Sequence, residues 1–162
     1  MTPNESSGSI SVERLGGGSY RLASVFALLQ PIDLVFSFFS DAHNLEKLTP
    51  PWLKFRVLTP APIPIERGTT IDYRLRIHGI PIRWTSQIDV WEPPHRFADR
   101  QLRGPYRRWD HEHTFDEADG GTLVGDRVEF EVPGGRLLGQ LASADVRRIF
   151  AYRRKRLSEL FG

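Results

Sequence analysis

Residues 136–161 have the sequence RLLGQLASADVRRIFAYRRKRLSELF, in which apolar side chains recur at the spacing of an α-helix. This stripe follows a pair of glycines and predicts the longest helix of the chain. Its members are Leu138, Leu141, Val146, Ile149, Phe150, Leu157 and Leu160. A helix with one apolar stripe has to bury it against a second layer of structure, which the preceding residues must supply.

The preceding residues predict that this second layer is a β-sheet. Seven segments with strand character are separated by turn-forming stretches such as TPAPIP and DEADGG, namely 20–30, 53–58, 69–77, 82–91, 97–102, 107–115 and 123–132. The gaps are short enough for antiparallel neighbours. Two short helices are expected after the first strand, one following Pro31 and one within DAHNLEKLTPPW. The predicted fold class is α+β, with a curved, seven-stranded antiparallel sheet packed on the long C-terminal helix.

Length and composition predict one domain. The chain has 162 residues, of which 40% are hydrophobic, enough for one core, and we assign this domain to residues 20–162. Residues 1–19 are rich in serine and glycine and are expected to form a flexible tail, although SISVER is an alternative short edge strand. A net charge of +2 gives no reason to expect nucleic acid as a partner.

Several functional classes are excluded by what the sequence lacks. The absence of cysteine excludes disulfides, thiolate catalysis and cysteine zinc sites. No nucleophile elbow, phosphate-binding loop or dinucleotide fingerprint is present. The N-terminus has no pattern of a secretory signal, and no apolar run is long enough for a transmembrane segment. We therefore expect a cytoplasmic protein.

The stretch GPYRRWDHEHTF, residues 104–115, predicts a strand with an unusual inner face. Because alternate side chains share a face, one face carries Trp109, His111, His113 and Phe115. Such a face is aromatic and can also form hydrogen bonds, which suits the wall of a small-molecule cavity. The same alternation in other strands, with Phe97 taken as inward, completes the predicted ligand-binding set. That set is Tyr73, Trp84, Ser86, Asp99, Gln101, Trp109, His111, His113 and Asp126.

The two histidines allow several interpretations. They are paired structurally by a neighbour such as Asp126, or they orient a ligand, or one of them is a general acid or base. His111, His113 and Asp126 are therefore the candidate catalytic residues. With Asp126 or Asp99 the histidines also resemble a two-histidine, one-carboxylate metal site, but such spacing is common. We predict no metal and no cofactor.

The final helix contains the most basic stretch of the chain, which we interpret as its solvated face, with an anionic partner or membrane headgroups as the alternative. Its members are Arg147, Arg148, Arg153, Arg154, Lys155 and Arg156. Trp52 is expected at the mouth of a cavity or in the core. Trp91 has outward strand parity, which predicts a position at the sheet edge or in an interface.

The order of elements and the phrases FFSDAHNLEKLTPPW, GIPIRW, GPYRRWDHEHTF and GGTLVGDRVEFEVPGG resemble the START-like, helix-grip superfamily, which includes polyketide cyclases and dehydrases. The resemblance implies a cavity between sheet and C-terminal helix that binds lipids, quinones, sterols or polyketides. It favours a carrier or sensor of a small hydrophobic ligand. The alternative is a cyclase or dehydrase in which a cavity histidine transfers a proton. An interaction domain acting through Trp91 and the basic helix, and a homodimer, are left open.

Overall fold

The computed structural model describes residues 8–162, which form a curved antiparallel sheet packed on a long helix. The strands are β1 (Ser9–Gly16), β2 (Ser19–Leu28), β3 (Arg56–Val57), β4 (Thr70–Ile77), β5 (Ile80–Glu92), β6 (Arg96–Arg103), β7 (Arg108–Ala118) and β8 (Gly121–Glu131). The helices are α1 (Ile32–Phe39), α2 (Leu45–Leu48) and α3 (Gly135–Phe161). Two 3₁₀ turns, Ala42–Asn44 and Pro51–Leu53, flank α2.

The sheet has the strand order β1-β2-β8-β7-β6-β5-β4-β3. Consecutive hairpins connect β4 to β8, and β8 returns to pair with β2, so that β2 and β8 lie side by side although they are distant in sequence. Helices α1 and α2 lie in the connection between β2 and β3. The α+β class and the helix-grip arrangement are confirmed, but the sheet has eight strands and not seven.

The additional strand is β1, which lies in the segment that the sequence predicts as a flexible tail. Residues Ser9–Gly16 pair antiparallel with β2, and Ile10 and Val12 pack against the core under α3. Composition missed this strand because its stability comes from pairing with β2 across the turn at Gly17 and Gly18, and not from its own apolar content. The structure therefore has the short edge strand that was given as the alternative at SISVER. Residues 1–7 of the predicted tail lie outside the described residues.

The strand predicted at 53–58 is much shorter in the structure. Leu53 ends a 3₁₀ turn, and Lys54 has a φ of 45°, in the left-handed region. An L-residue in that conformation interrupts an extended strand. Pairing with β4 therefore begins only at Arg56.

Helix α3 packs on the sheet through a stripe that is rotated from the predicted one. Its buried residues are Gly139, Val146, Phe150, Arg153 and Leu157. Leu138, Leu141 and Leu160 of the predicted stripe are exposed. A Cβ on Gly139 would lie 2.8 Å from the Oη atom of Tyr20, so glycine permits the close approach of α3 to β2. Within residues 8–162 no helix is long and apolar enough to cross a membrane.

A bulge in β5 overturns the predicted orientation of Trp91. The register between β5 and β6 shifts between Ile88 and Val90, so that Trp91 pairs with Phe97. Because an extra residue reverses the alternation beyond it, Trp91 turns to the inner face and packs against Phe36 and Phe97. Trp91 therefore lies on the inner face, partly buried against the core and in the wall of the space between sheet and helix, and not on the outer face.

Candidate functional site

A cavity of about 580 Å³ lies between the inner face of the sheet and helix α3. Its walls are mainly aromatic and aliphatic, with contributions from α1, α3 and strands β4 to β7, and they include Phe39, Ile71, Leu75, Ile88, Phe97 and Phe150. A smaller set of polar side chains also lines it, namely Tyr73, Ser86, Asp99, His111, His113 and Arg153. An apolar cavity with a few converging polar groups has the composition of a small-molecule site.

The histidine pair is assembled by the registers of three adjacent strands. Asp99 on β6 is opposite His111 on β7, and Asp126 on β8 is opposite His113. Nε2 of His111 lies 2.8 Å from Oδ1 of Asp126, and Nε2 of His113 lies 3.4 Å from Oδ2 of Asp99. The two imidazole rings are 3.8 Å apart between centroids. Both histidines are buried, so the two carboxylates compensate for much of the cost of removing their polar atoms from water.

Electrostatics fix the protonation state of His111. Burial and the neighbouring His113 lower the pKa of His111 to about 4, although Asp126 acts in the opposite direction. Burial raises the pKa of Asp126, but the charge of Arg153, the hydrogen bond from His111 and the proximity of His113 outweigh it and hold that pKa well below its usual value. At neutral pH, Asp126 is therefore an acceptor, and a neutral His111 donates to it through Nε2–H. Nδ1 of His111 remains the unprotonated nitrogen.

Arg153 is a polar residue of the cavity that sequence reasoning missed. It was predicted on the solvated face of the helix, but it is 8% exposed and lines the cavity. Its guanidinium lies 5.3 Å from the ring centroid of Phe39 and 5.7 Å from that of Phe150. The sequence spacing does indicate that Arg153 is buried, because it follows Phe150 by three residues and precedes Leu157 by four and so lies on the same helix face as both.

Another part of the cavity wall is built from tryptophan and tyrosine. Trp84 donates from Nε1 to Oγ of Ser86 at 3.0 Å, and its ring lies edge-on to that of Trp109 at 5.2 Å. Burial and the nearby Asp99 raise the pKa of Tyr73, which therefore keeps its hydroxyl proton at neutral pH. Tyr106, which was not predicted, packs against Trp109 at 4.8 Å. This part of the wall presents broad aromatic surfaces to a ligand.

Two of the predicted ligand-binding residues do not line the cavity. The side chain of Gln101 folds toward the loop between β6 and β7, where Nε2 donates to the carbonyl of Tyr106 at 2.7 Å and Oε1 accepts from its N–H at 3.2 Å. Asp126 is buried behind the histidines. Gln101 therefore fixes a loop, and Asp126 acts through His111 and His113. The other seven residues of the predicted set line the cavity, namely Tyr73, Trp84, Ser86, Asp99, Trp109, His111 and His113.

Trp52 lies at the edge of the cavity beside α3. Its side chain is 47% exposed, and its ring contacts Tyr152 and the guanidinium of Arg148. The tip of the β4–β5 hairpin also reaches α3, where Nε2 of His78 lies 2.7 Å from Oδ2 of Asp145. Trp52 and this exposed pair border the same cavity, which places Trp52 at its mouth, the first of its two predicted positions.

Asp99, His111 and His113 each offer one metal-ligand atom, and these atoms lie within 4.8 Å of one another. Two histidines and one carboxylate suit a divalent transition metal. However, Nε2 of each histidine already faces a carboxylate, and the guanidinium of Arg153, which lines the same cavity, would repel a cation. We therefore retain the prediction that this cluster holds no metal.

Comparison with known proteins identifies one family that matches most of the chain and several solved structures with the same fold. The sequence model of a family described as polyketide cyclase / dehydrase and lipid transport matches residues 30–155. No curated protein matches the chain in sequence. Protein Ms6760 from Mycobacterium smegmatis is 18% identical, with coverage of 94% of this chain and 97% of that chain and a TM-score of 0.67.

Two further solved structures share the fold. The Zhui aromatase/cyclase from Streptomyces sp. R1128 is 18% identical, with coverage of 87% of this chain and 92% of that chain and a TM-score of 0.69. Protein CV1439 from Chromobacterium violaceum is 15% identical, with coverage of 90% and 98% and a TM-score of 0.70. At these identities the likeness is one of fold.

Proposed function

Since this chain belongs to the polyketide cyclase / dehydrase and lipid transport family, we propose that it encloses a small hydrophobic ligand as a carrier or sensor. The family and the fold support a ligand-binding helix-grip protein. What we propose beyond this is the chemical class of the ligand and the role of the protein as its carrier or sensor. A lipid, quinone, sterol-like or polyketide-like molecule has the apolar surface that such a cavity would bury.

The observation that carries the proposal is the cavity itself. About 580 Å³ of space is bordered by aromatic and aliphatic side chains, and the polar groups are confined to a few positions. Burial of apolar ligand surface there is favourable by roughly 25 cal/mol per Å² before the costs of binding. The seven predicted residues that line the cavity are proposed to contact the ligand, and Asp126 is proposed to hold the histidines in place.

The state of His111 favours binding over catalysis. A general base is most effective when its pKa lies near the working pH. Burial lowers the pKa of His111 to about 4, and its Nε2–H is directed to Asp126. A neutral imidazole fixed in this way suits the orientation of a ligand better than proton transfer.

One observation favours the alternative, a cyclase or dehydrase type of enzyme. Nδ1 of His113 is buried and has no hydrogen-bond partner among residues 8–162, although Oδ1 of Asp126 lies 3.3 Å away outside hydrogen-bond geometry. A substrate oxygen or carbon acid in the cavity would give this nitrogen a partner. His113 would then move the proton while the aromatic walls hold a reactive ketone in a folded conformation.

The proposal is tested by identifying what the purified protein carries. Organic extracts of the wild type would be compared by mass spectrometry with those of Ile71→Trp, which fills the cavity, and of Thr70→Trp on the opposite, exposed face of β4. We expect a lipophilic compound with the wild type and Thr70→Trp that is depleted from Ile71→Trp. Equal recovery from all three proteins would contradict the proposal. Turnover of polyketide-like ketones that is lost in His113→Gln would support the enzyme instead.

A further inference from the structure

Arg153 is a buried cation with unused hydrogen-bonding capacity. It is 8% exposed and lines the cavity, yet its Nε and Nη2 atoms have no hydrogen-bond partner within residues 8–162. A guanidinium remains charged at any physiological pH, so it cannot relieve this situation by losing a proton. Buried donors that lack an acceptor are costly, and such groups usually indicate a missing partner.

The two atoms that lack a partner, Nε and Nη2, limit the chemical class of the missing acceptor. In a planar guanidinium, the Nε–H bond and one Nη2–H bond point in the same direction along one edge. Two parallel donors match the two oxygens of a carboxylate, which is why arginine binds carboxylates in a bidentate manner. A ketone or hydroxyl offers one oxygen and would satisfy this edge less well.

The carboxylates of the protein do not take this role. Oδ1 of Asp126 faces His111 and His113, and Oδ2 of Asp99 faces His113. Arg153 forms no ion pair with any carboxylate in the described part of the chain. Its positive charge nevertheless contributes to lowering the pKa of both aspartates. The histidines therefore hold the aspartates, while Nε and Nη2 of the buried guanidinium lack an acceptor among the described residues.

The surroundings of Arg153 suit an amphipathic ligand. Phe39 and Phe150 flank the guanidinium at 5.3 and 5.7 Å, and both also line the cavity. These rings support the planar group and shield it from solvent, which strengthens a charge-assisted hydrogen bond. A ligand with its charged end at Arg153 would place its apolar body along the aromatic walls.

We propose that the ligand is a hydrophobic carboxylic acid whose carboxylate binds Nε and Nη2 of Arg153. This inference rests on the proposed function, because it assigns a chemical class to the ligand of the same cavity. It gives Arg153 the role of selecting acids over neutral molecules of the same shape. His111 and His113 then border the bound acid without contributing its counter-charge.

The test compares acids with their neutral esters at pH 7.5. Two fluorescent pairs would be titrated, cis-parinaric acid with its methyl ester and anthracene-2-carboxylic acid with its methyl ester. For at least one pair we expect wild type to bind the acid about 10- to 100-fold more tightly than the ester, as a charge-assisted bidentate contact provides. Arg153→Met should remove this preference. The control Lys155→Met removes an exposed charge from the same helix and should change neither affinity.

Arg153→Lys is the second variant. It keeps the charge but loses the parallel donors, so we expect an intermediate preference even if the methionine variant does not fold. Equal affinity of wild type for acid and ester in both pairs would overturn the inference and leave the proposed function standing, as would an acid preference in Arg153→Met or Arg153→Lys as large as that of wild type. Failure of all four probes to bind would instead contradict the proposed function and the inference with it.

Discussion

Replacement of Asp126 by asparagine removes a charge and changes little of the shape. Asp126 is 4% exposed, and its Oδ1 atom lies 2.8 Å from Nε2 of His111 and 3.3 Å from Nδ1 of His113. Asparagine can still accept from His111, but a neutral hydrogen bond replaces a charge-assisted one, and Arg153 loses a nearby negative charge. Together these losses predict a decrease of about 2–3 kcal/mol in the free energy of unfolding at pH 7.

The effect of Asp126→Asn should depend on pH with a defined sign. The pKa of Asp126 is held well below its usual value in the folded protein, so this carboxylate contributes stability above its unfolded pKa of about 3.9. That contribution is lost as the pH falls from there through the folded-state pKa. The difference between wild type and Asp126→Asn should therefore be constant from pH 8 to pH 5 and should begin to close below about pH 4.

Urea unfolding measured by tryptophan fluorescence at several pH values provides the assay. Asp110→Asn is the control, because Asp110 lies on the outer face of the neighbouring strand β7 and forms an exposed pair with Arg108. Its effect should be within about 0.5 kcal/mol. An Asp126→Asn protein as stable as wild type at pH 7, or a difference that does not change down to pH 3, would refute the account of this cluster.

Three further predictions concern the histidine, the helix contact and the loop. The ring signals of His111 should titrate in NMR with a midpoint at about pH 4. The contribution of His111 to the free energy of unfolding should fall as the pH drops from about 6.5 to about 4, because the unfolded histidine binds a proton first. An NMR midpoint above pH 6 would contradict this. Gly139→Val should lower the free energy of unfolding by about 1–3 kcal/mol, because its Cβ would lie 2.8 Å from Oη of Tyr20; an unchanged urea midpoint would contradict the close helix approach. Gln101→Leu should lower the free energy of unfolding by about 1–3 kcal/mol, because both hydrogen bonds to Tyr106 are lost, and it should not weaken the binding of a neutral probe. Weaker probe binding at unchanged stability would instead place Gln101 in the ligand site.

Strand alternation predicted the inner face wherever the strands are regular. Tyr73 on β4 and the pair His111 and His113 on β7 lie where a period of two puts them, because their registers contain no shift. The same rule was wrong at Trp91, which lies beyond the bulge in β5. A bulge is fixed by pairing with β6, and the sequence of one strand alone does not contain that information.

Arg153 and β1 show a different limit. Arg153 has the spacing of a buried helix position, but its charge suggested solvent, because an arginine is rarely buried unless it is paired. The residues that flank it in the cavity, Phe39 and Phe150, come from separate elements of the chain. The composition of residues 1–19 favoured a flexible tail, and only the alternative strand at SISVER anticipated the pairing of Ser9–Gly16 with β2. The contact of Arg153 with Phe39 joins α3 to α1 and is distant in sequence, whereas β1 pairs with the next strand through the turn at Gly17 and Gly18.

Whether the cavity accepts a ligand is tested most directly by titrating ¹⁵N-labelled protein with N-phenyl-1-naphthylamine, a neutral hydrophobic fluorophore. The four tryptophan indole N–H signals report on where the ligand binds, because Trp84, Trp91 and Trp109 line the cavity and Trp52 lies at its mouth. We predict saturable binding of one molecule per chain, with shifts at Trp84 and Trp109 and weaker binding by Ile71→Trp. Absence of saturation, or shifts confined to Trp52, would contradict the assignment of this cavity as the ligand-binding site.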